Sequence, residues 1–171
     1  MNLEDLPPVE VMWEGKFVRA LRRGKWEYAS RARDIGAVVI LAEDDGKVIL
    51  VEQPRVAPDC RCIELPAGLV GDEDPSATVE STAIKELEEE TGYTAERVER
   101  LGDFYASPGM LSEGFTVVRA HGVRKVGSGG GDENEDIKVH LVRRDEIPNF
   151  VEQKRAEGLG IDAKLLLLLN F

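Results

Sequence analysis

The sequence predicts an α+β fold, in which an antiparallel or mixed sheet is covered by helices. Three observations point to this class: apolar runs of strand length are separated by turn residues, one long amphipathic pattern is rich in glutamate, and two more helical patterns lie near the carboxyl terminus. The chain has 171 residues, of which 42% are hydrophobic. This length and composition fit one globular domain with a core of normal size.

The amino-terminal part is predicted to form a β-hairpin. Apolar and polar side chains alternate through residues 16–31 around an Arg23-Gly24-Lys25 turn. We expect this hairpin to belong to a segment of its own, residues 1–33, which precedes the main domain at residues 34–171.

The centre of the sheet is predicted where two apolar runs flank Asp45-Gly46. Asp-Gly is a strong signal for a tight hairpin turn. Residues 37–41 and 48–53 are therefore expected to pair with each other in antiparallel fashion. A short strand follows them and is expected to end in a Pro-Ala-Gly turn at residues 66–68.

A glutamate-rich helix is expected to begin at residues 74–76, Asp-Pro-Ser, and to end at Gly92, which can adopt the left-handed conformation that stops a helix. A polar, glycine-rich and acidic segment, GSGGGDENED, occupies residues 127–136. The remaining predicted elements are strands at residues 98–105, 115–121 and 137–142, and helices at residues 146–157 and from Asp162 onward.

Glutamate is concentrated on the first helix, in the stretch KELEEETGY at residues 85–93. The apolar stripe of this helix consists of Val79, Ala83, Ile84 and Leu87. Glu86 and Glu90 fall at the edge of that stripe. Glu89 lies further round, where Lys85 can pair with it at i to i+4. Because carboxylates half out of water need partners, two explanations fit: a solvated acidic face, or carboxylates that hold divalent cations.

The overall charge excludes several classes of partner. Acidic side chains outnumber basic ones by 33 to 22, which gives a formal net charge of -11. Such a chain is not steered toward nucleic acid or an anionic membrane surface. The start of the chain lacks the pattern of a secretory signal, and the leucine run at residues 165–169 is far shorter than the ~20 apolar residues of a membrane span. We therefore expect a cytoplasmic protein without nucleic-acid or membrane partners.

Residues 64–93, ELPAGLVGDEDPSATVESTAIKELEEETGY, resemble the signature box of the Nudix hydrolases. Two features depart from the family pattern: Lys85 replaces the usual arginine, and the 17 positions from Gly68 to Lys85 are about three more than the family has. The resemblance implies a Nudix-type α/β/α sandwich with a mixed sheet, preceded by the hairpin. The matching positions in the second half of the box are Glu86, Leu87, Glu89, Glu90, Gly92 and Tyr93.

Three further stretches, VEQPR, YASPGMLSE and DENEDIKVH, resemble the ADP-ribose pyrophosphatases and the related nucleotide-sugar hydrolases. Pro108 takes the place of a proline that marks the ADP-ribose branch, although GDP-mannose hydrolases have a similar Ser-Pro-Gly stretch. The resemblance implies hydrolysis of ADP-ribose to AMP and ribose 5-phosphate, with GDP-mannose or another nucleoside diphosphate sugar as the alternative substrate. A non-catalytic nucleotide sensor is a third possibility, and the complete set of glutamates argues against it.

The same resemblance implies a metal site and a general base. The acidic segment is expected to supply the base, with Glu133 as the first choice and Glu135 as the second. Glycines at positions 127 and 129–131 would let this segment close over the substrate. The expected ligands of Mg²⁺, for which Mn²⁺ could substitute, are Glu86, Glu89, Glu90 and the backbone carbonyl of Ala67.

The resemblance also implies substrate contacts. Arg55 follows a strand at the position where the family's arginine meets the pyrophosphate, and a guanidinium fork suits phosphate oxygens. Glu113 is expected to accept hydrogen bonds from ribose hydroxyls. Pro108 and Gly109 are expected to line the substrate site.

Two aromatic residues of the hairpin, Trp26 and Tyr28, are expected to stack on the base of a nucleotide-sugar substrate. Relatives use aromatics from this region, often across a dimer, so the resemblance implies a homodimer. Packing between subunits would explain the same two side chains.

Overall fold

The computed structural model describes residues 2–33, 35–72, 74–131 and 135–168, without the side chain of Leu167. Two α-helices lie in this part of the chain, α1 (Val79–Thr91) and α2 (Ile147–Ala156), and short 3-10 helices cover Leu3–Asp5, Arg144–Glu146 and Ala163–Leu167. The strands are β1 (Glu10–Glu14), β2 (Val18–Arg23), β3 (Trp26–Arg31), β4 (Ala37–Leu41), β5 (Glu43–Asp44), β6 (Lys47–Arg55), β7 (Cys60–Glu64), β8 (Ala67–Leu69), β9 (Tyr93–Thr94), β10 (Arg97–Tyr105), β11 (Gly114–His121), β12 (Arg124–Lys125), β13 (Lys138–Arg143) and β14 (Gly160–Ile161).

The main body contains two mixed sheets. One has the strand order β10-β11-β4-β8, in which β11 and β4 are parallel and the other pairs are antiparallel. The other has the order β13-β6-β7-β14, with β5 paired to β6 and a parallel pair between β7 and β14. The predicted α+β class with a mixed sheet is confirmed.

The alternation of side chains along β4 divides the core into two clusters. Val39 and Leu41 belong to a buried cluster that includes Ile147 and Val151 of α2. Val38 and Ile40 point the other way, into a cluster that contains residues of α1. Because neighbouring residues of a strand face opposite sides of its sheet, the two helices pack on opposite sides of β4. This is the layering of the predicted α/β/α sandwich.

The amino-terminal hairpin is confirmed as β2 and β3, which pair from Val18↔Arg31 to Arg23↔Trp26. A third strand, β1, joins it through antiparallel pairing with β2, and the sequence analysis did not predict this strand. Every residue of β1 is exposed, so the alternation that signals a half-buried strand is weak there.

The expected pairing of residues 37–41 with residues 48–53 is wrong, because β4 and β6 lie in different sheets. The Asp45-Gly46 turn does form, and both residues have positive φ as a tight hairpin turn requires. It joins β6 only to the two-residue strand β5. β4 pairs instead with β11 and β8, and the chain crosses from one sheet to the other between β4 and β5.

Two further expectations need correction. The helix α1 begins at Val79 rather than at residues 74–76, because Thr78 and Ser81 form a capping box and Asp74 accepts hydrogen bonds from Ser76 instead. Residues 67 and 68 form strand β8 rather than a turn. The end of the helix at Gly92, with φ of 73°, is as predicted.

The last predicted helix, opening at Asp162, is a 3-10 helix whose first turn is capped by that aspartate. In the described residues, no helix has both the length and the apolar character that crossing a membrane requires.

Candidate functional site

Helix α1 brings two of its glutamates against strand β8. Glu90 is buried, and one of its carboxylate oxygens, Oε2, accepts a hydrogen bond from the backbone N–H of Ala67 at 3.1 Å. Glu86 is partly buried and packs on Gly68 so closely that a Cβ at position 68 would overlap its carboxylate. The sequence placed both residues at the edge of the apolar stripe, and the structure puts that edge next to the β8 backbone.

The third glutamate of the box is less buried than the other two. Glu89 is exposed, and its Oε2 forms an ion pair with Lys85 Nζ at 3.2 Å, as expected from their i to i+4 spacing. Glu88, on the far side of the helix, is also exposed. The four glutamates therefore differ in environment: Glu90 is buried, Glu86 is partly buried, and Glu88 and Glu89 are exposed, with Glu89 paired to Lys85.

Burial sets the electrostatic character of Glu90. It raises the pKa of Glu90 to about 8, the hydrogen bond from Ala67 opposes this rise, and the nearby carboxylates of Glu86 and Glu135 add to it. A buried carboxylate of this kind is stabilised in its ionised form when a cation lies beside it.

Arg55 lies at the end of β6 and is held by a carboxylate that the sequence analysis did not single out. Its Nε and Nη2 donate to the two carboxylate oxygens of Glu64, at 2.6 and 2.8 Å. Glu64 is buried, whereas the Arg55 side chain is 45% exposed. This bidentate pair fixes the orientation of the guanidinium while part of it stays accessible. Glu64 is the first residue of the ELPAG stretch. It lies at the end of β7, and the pairing of β7 with β6 brings it next to Arg55.

Arg55 and three glutamates of α1, Glu86, Glu89 and Glu90, line one cleft of about 560 Å³, which we call the glutamate cleft. Six of its described lining residues are acidic and two are basic. An anionic ligand could bind such a cleft only together with cations. The charged lining residues are Arg55, Asp72, Asp74, Lys85, Glu86, Glu89, Glu90 and Glu135.

The donor set of the glutamate cleft fits a hard divalent cation. The charged oxygens of its described lining are carboxylates, and this part of the lining contains neither cysteine nor histidine. In the segments that the structure describes, no three His, Cys, Asp or Glu side chains converge into a complete metal site. Mg²⁺ does not need one, because it binds through one or two carboxylates and fills its other positions with water and substrate phosphates.

The glycine-rich start of the acidic segment is docked on the end of α1. The N–H groups of Gly130 and Gly131 donate to the backbone carbonyls of Glu90 and Glu89, at 2.9 and 3.0 Å. A Cβ on Gly129 would overlap the backbone of Thr91. Close backbone packing therefore requires glycine at position 129, and the expected part of the segment's glycines in closure over the substrate stays a prediction.

The acidic segment sends at least one glutamate into the glutamate cleft. Glu135 lines the cleft and packs on Gly131, where a Cβ would overlap its side chain. Glu133, the first choice for the general base, lies outside the described residues.

The other predicted contact residues line two different cavities. Trp26, Tyr28, Pro108 and Gly109 lie together around an apolar cavity of about 700 Å³, which we call the aromatic cavity. They do not line the glutamate cleft of the same chain.

Glu113 lines a smaller cavity of about 360 Å³, where Arg31 Nε donates to its Oε1 at 2.6 Å. This cavity shares Tyr105 and Ser112 with the aromatic cavity. Arg31 and Tyr105 were not predicted as site residues, although Tyr105 is the first residue of the YASPGMLSE stretch.

Comparison with known proteins relates the chain to one family. The family model for the NUDIX domain matches residues 32–161. The chain is 36% identical over 154 residues to the methanol dehydrogenase activator of Bacillus methanolicus and, separately, to the ADP-ribose pyrophosphatase of Bacillus subtilis strain 168. Each alignment covers 88% of this chain and 79% of the relative.

A further relative and one solved structure agree with this result. The GDP-mannose pyrophosphatase of Cronobacter sakazakii is 36% identical over 149 residues, covering 81% of this chain and 73% of that protein. The fold is similar to the crystal structure of an ADP compounds hydrolase, with a TM-score of 0.68, 22% identity, and coverage of 86% of this chain and 82% of the other.

Proposed function

The chain belongs to the Nudix hydrolase family, and from this premise we propose that it is a Mg²⁺-dependent pyrophosphohydrolase that cleaves ADP-ribose to AMP and ribose 5-phosphate. The observation that carries the proposal is the glutamate cleft, in which Glu86, Glu90 and Glu135 face the oriented guanidinium of Arg55. The relative named ADP-ribose pyrophosphatase, at 36% identity, supports this choice of substrate.

In this proposal Glu86 and Glu90 hold the metal ions, with Glu89 and the backbone carbonyl of Ala67 as further ligands. When bound, Mg²⁺ neutralises the charge of the pyrophosphate and activates water for attack on phosphorus. The half-exposed fork of Arg55 binds phosphate oxygens, and its pairing with Glu64 keeps it in place as substrate enters.

The reaction needs a proton acceptor near the attacking water. The oxygen of water bonds to one phosphorus of the pyrophosphate, and the bond from that phosphorus to the bridging oxygen breaks. A glutamate of the acidic segment takes the proton. Glu135, the second choice from the sequence, lines the glutamate cleft, and Glu133, the first choice, stays a candidate.

We further propose that the protein works as a homodimer through the segment at residues 1–33. Large apolar side chains are exposed across its sheet and turns, including Val11, Met12, Trp13, Phe17 and Trp26, each between 48% and 61% exposed. A concentration of large exposed apolar side chains in one small sheet suits an interaction site. A second copy on this surface would also bring the aromatic cavity next to another chain, which suits stacking of the nucleotide base on Trp26 and Tyr28.

A cytoplasmic location stays a prediction from the sequence.

A second substrate class follows from the relatives. GDP-mannose pyrophosphatases are as similar to this chain as the ADP-ribose enzyme is, at up to 36% identity. In that case the pyrophosphate bond of GDP-mannose would be cleaved in the same glutamate cleft. The choice between guanine and adenine would depend on residues outside that cleft.

The experiment that tests the proposal is product analysis. The protein is incubated with ADP-ribose, GDP-mannose and other nucleotide sugars, each with Mg²⁺, with Mn²⁺ and with a chelator. We expect release of AMP from ADP-ribose at the highest kcat/KM, abolished by the chelator. A higher kcat/KM for GDP-mannose would make GDP-mannose the substrate in place of ADP-ribose. Activity that survives the chelator would overturn the metal assignment.

A further inference from the structure

A buried carboxylate outside the glutamate cleft is the centre of a charge network. Glu52 lies in β6 and is 5% exposed. Its carboxylate accepts from Arg61 Nε at 2.7 Å and from Lys138 Nζ at 3.2 Å, and it lies 3.0 Å from His140 Nε2. These partners come from strands β7 and β13, on the two sides of β6.

Arg61 carries this network beyond the sheet, to the acidic segment. Its Nη1 donates to Asp136 Oδ2 at 2.6 Å, and its Nη2 donates to the backbone carbonyl of Asp136 at 2.9 Å. The same Nη2 also reaches the backbone carbonyl of Glu52, at 3.2 Å. One planar guanidinium thus holds both the side chain and the main chain of Asp136 against a buried anchor.

The position of Asp136 makes this contact relevant to the cleft. The ladder between β13 and β6 begins at Lys138, so the Arg61 contact fixes the chain two residues before regular pairing starts. Asp136 is the immediate neighbour of Glu135, which lines the glutamate cleft. On the other side, Gly131 is tied to the carbonyl of Glu89 and packs on Glu135. Glu135 therefore lies between two fixed points.

We propose that Arg61 is a positioning residue for the hydrolysis reaction: by joining Asp136 to Glu52 it holds the Glu135 carboxylate in the glutamate cleft. This inference rests on the proposed function, because it assigns Glu135 a part in turnover. The contact between Arg61 and Asp136 is not needed to hold β13 against β6. The two strands are already joined by six residue pairs, and Lys138 and His140 of β13 also contact Glu52 of β6.

The functional arm of the test is a double-mutant cycle. Misplacing a reacting group by about 1 Å can cost about 100-fold in rate, so Arg61→Met is expected to lower kcat about 10- to 100-fold with little change in KM. In the Glu135→Gln background the same substitution should cost almost nothing further, because the residue it positions is already disabled. Additive losses, or no loss from Glu135→Gln alone, would overturn the proposal.

Lys138→Met is the matched control. It also removes a cationic partner of Glu52, but it leaves the contacts between Arg61 and Asp136 intact. We expect kcat within about twofold of the wild type for this variant. Equal losses of kcat in Lys138→Met and Arg61→Met would overturn the proposal, because they would show that activity depends only on the charge partners of Glu52 and not on the contact with Asp136. If Arg61→Met folds poorly, Asp136→Ala, at an exposed side chain, tests the same link and should lower kcat less, since the carbonyl contact remains.

A second arm does not depend on activity. The amide hydrogens of Gly131 and Ile137 are bonded to the carbonyls of Glu89 and Gly130, and their exchange reports whether the segment stays docked. Arg61→Met should speed exchange at Ile137, whereas Lys138→Met should not. Unchanged exchange would overturn the anchor even if the enzyme were active. A wild-type protein that hydrolyses no nucleotide sugar would instead refute the proposed function, and the exchange result would still decide the anchor.

Discussion

Gly68 and Glu86 are in such close contact that the carboxylate of Glu86 occupies the space where a side chain at position 68 would begin. This contact aligns β8 with α1 and sets the place of a carboxylate that we assign to metal binding.

Gly68→Ala should therefore damage activity more than stability. The added methyl group would overlap the Glu86 side chain from its Cγ to its carboxylate, so this flexible side chain has to move and its carboxylate leaves its position in the cleft. We expect kcat/KM to fall about 10- to 100-fold, because reaction rates are sensitive to displacements of about 1 Å. Gly36→Ala is the control, since no atom lies within 4 Å of its added Cβ. Equal activity of the two variants in steady-state kinetics would refute the role given to this contact.

The general base can be assigned by comparing two substitutions in the acidic segment. Removal of a general base typically costs 10²- to 10⁴-fold in rate, so the glutamate that accepts the proton should show a loss of roughly this size in kcat on conversion to glutamine. We expect Glu135→Gln to show it, because Glu135 lines the cleft. A large loss in Glu133→Gln with little effect of Glu135→Gln would return the role to Glu133.

The Glu52 network predicts a specific loss of stability in acid. Burial alone would raise the pKa of Glu52, but hydrogen bonds from Arg61, His140 and Lys138 outweigh it and lower the pKa from 4.5 to about 2. The unfolded chain then binds a proton in a pH range where the folded chain does not. The stabilisation of the folded state by ionised Glu52 is complete above pH 4.5 and is lost as the pH falls toward 2.

Glu52→Gln tests this prediction through the pH dependence of chemical unfolding. The free energy of unfolding of the wild type should decrease between about pH 5 and pH 2 more steeply than that of the variant. Parallel curves for the two proteins would show that Glu52 does not have the lowered pKa.

The exposed apolar surface of the amino-terminal sheet predicts self-association. Trp13→Ser and Phe17→Ser together should shift the protein from dimer to monomer in sedimentation experiments, because both side chains are 61% exposed on the segment assigned to the interface. Val56→Ser is the control, as Val56 is an apolar residue that is 95% exposed but lies outside that segment. A wild-type protein that sediments as a monomer would contradict the dimer.

The sequence predicted elements better than it predicted their partners. Strands β10, β11 and β13 and the end of α1 at Gly92 agree with their apolar runs and turn residues. The pairing of β4 failed, because a strand buried on both faces carries no alternation from which its neighbour could be chosen.

The same division holds for the site. Helical spacing placed Glu86 and Glu90 correctly at the edge of the apolar stripe, since that inference is local. Contacts between the paired strands β6 and β7, such as Arg55 with Glu64 and Arg61 with Glu52, depend on sheet register and could not be obtained from helical spacing. The close packing of Gly129 on Thr91 could not be predicted either, because glycine that permits motion and glycine that permits close packing look the same in a sequence.

The most direct test of the central claim, that the glutamate cleft is the site of hydrolysis, is the kcat/KM of Glu86→Gln beside that of Glu88→Gln with the best substrate and Mg²⁺. The two residues lie on the same helix, but Glu86 lines the cleft and Glu88 is exposed away from it. We predict a loss of about 100-fold or more for Glu86→Gln and a change within about twofold for Glu88→Gln, with nearly equal thermal stability. Equal activity of both variants would contradict the assignment of the cleft.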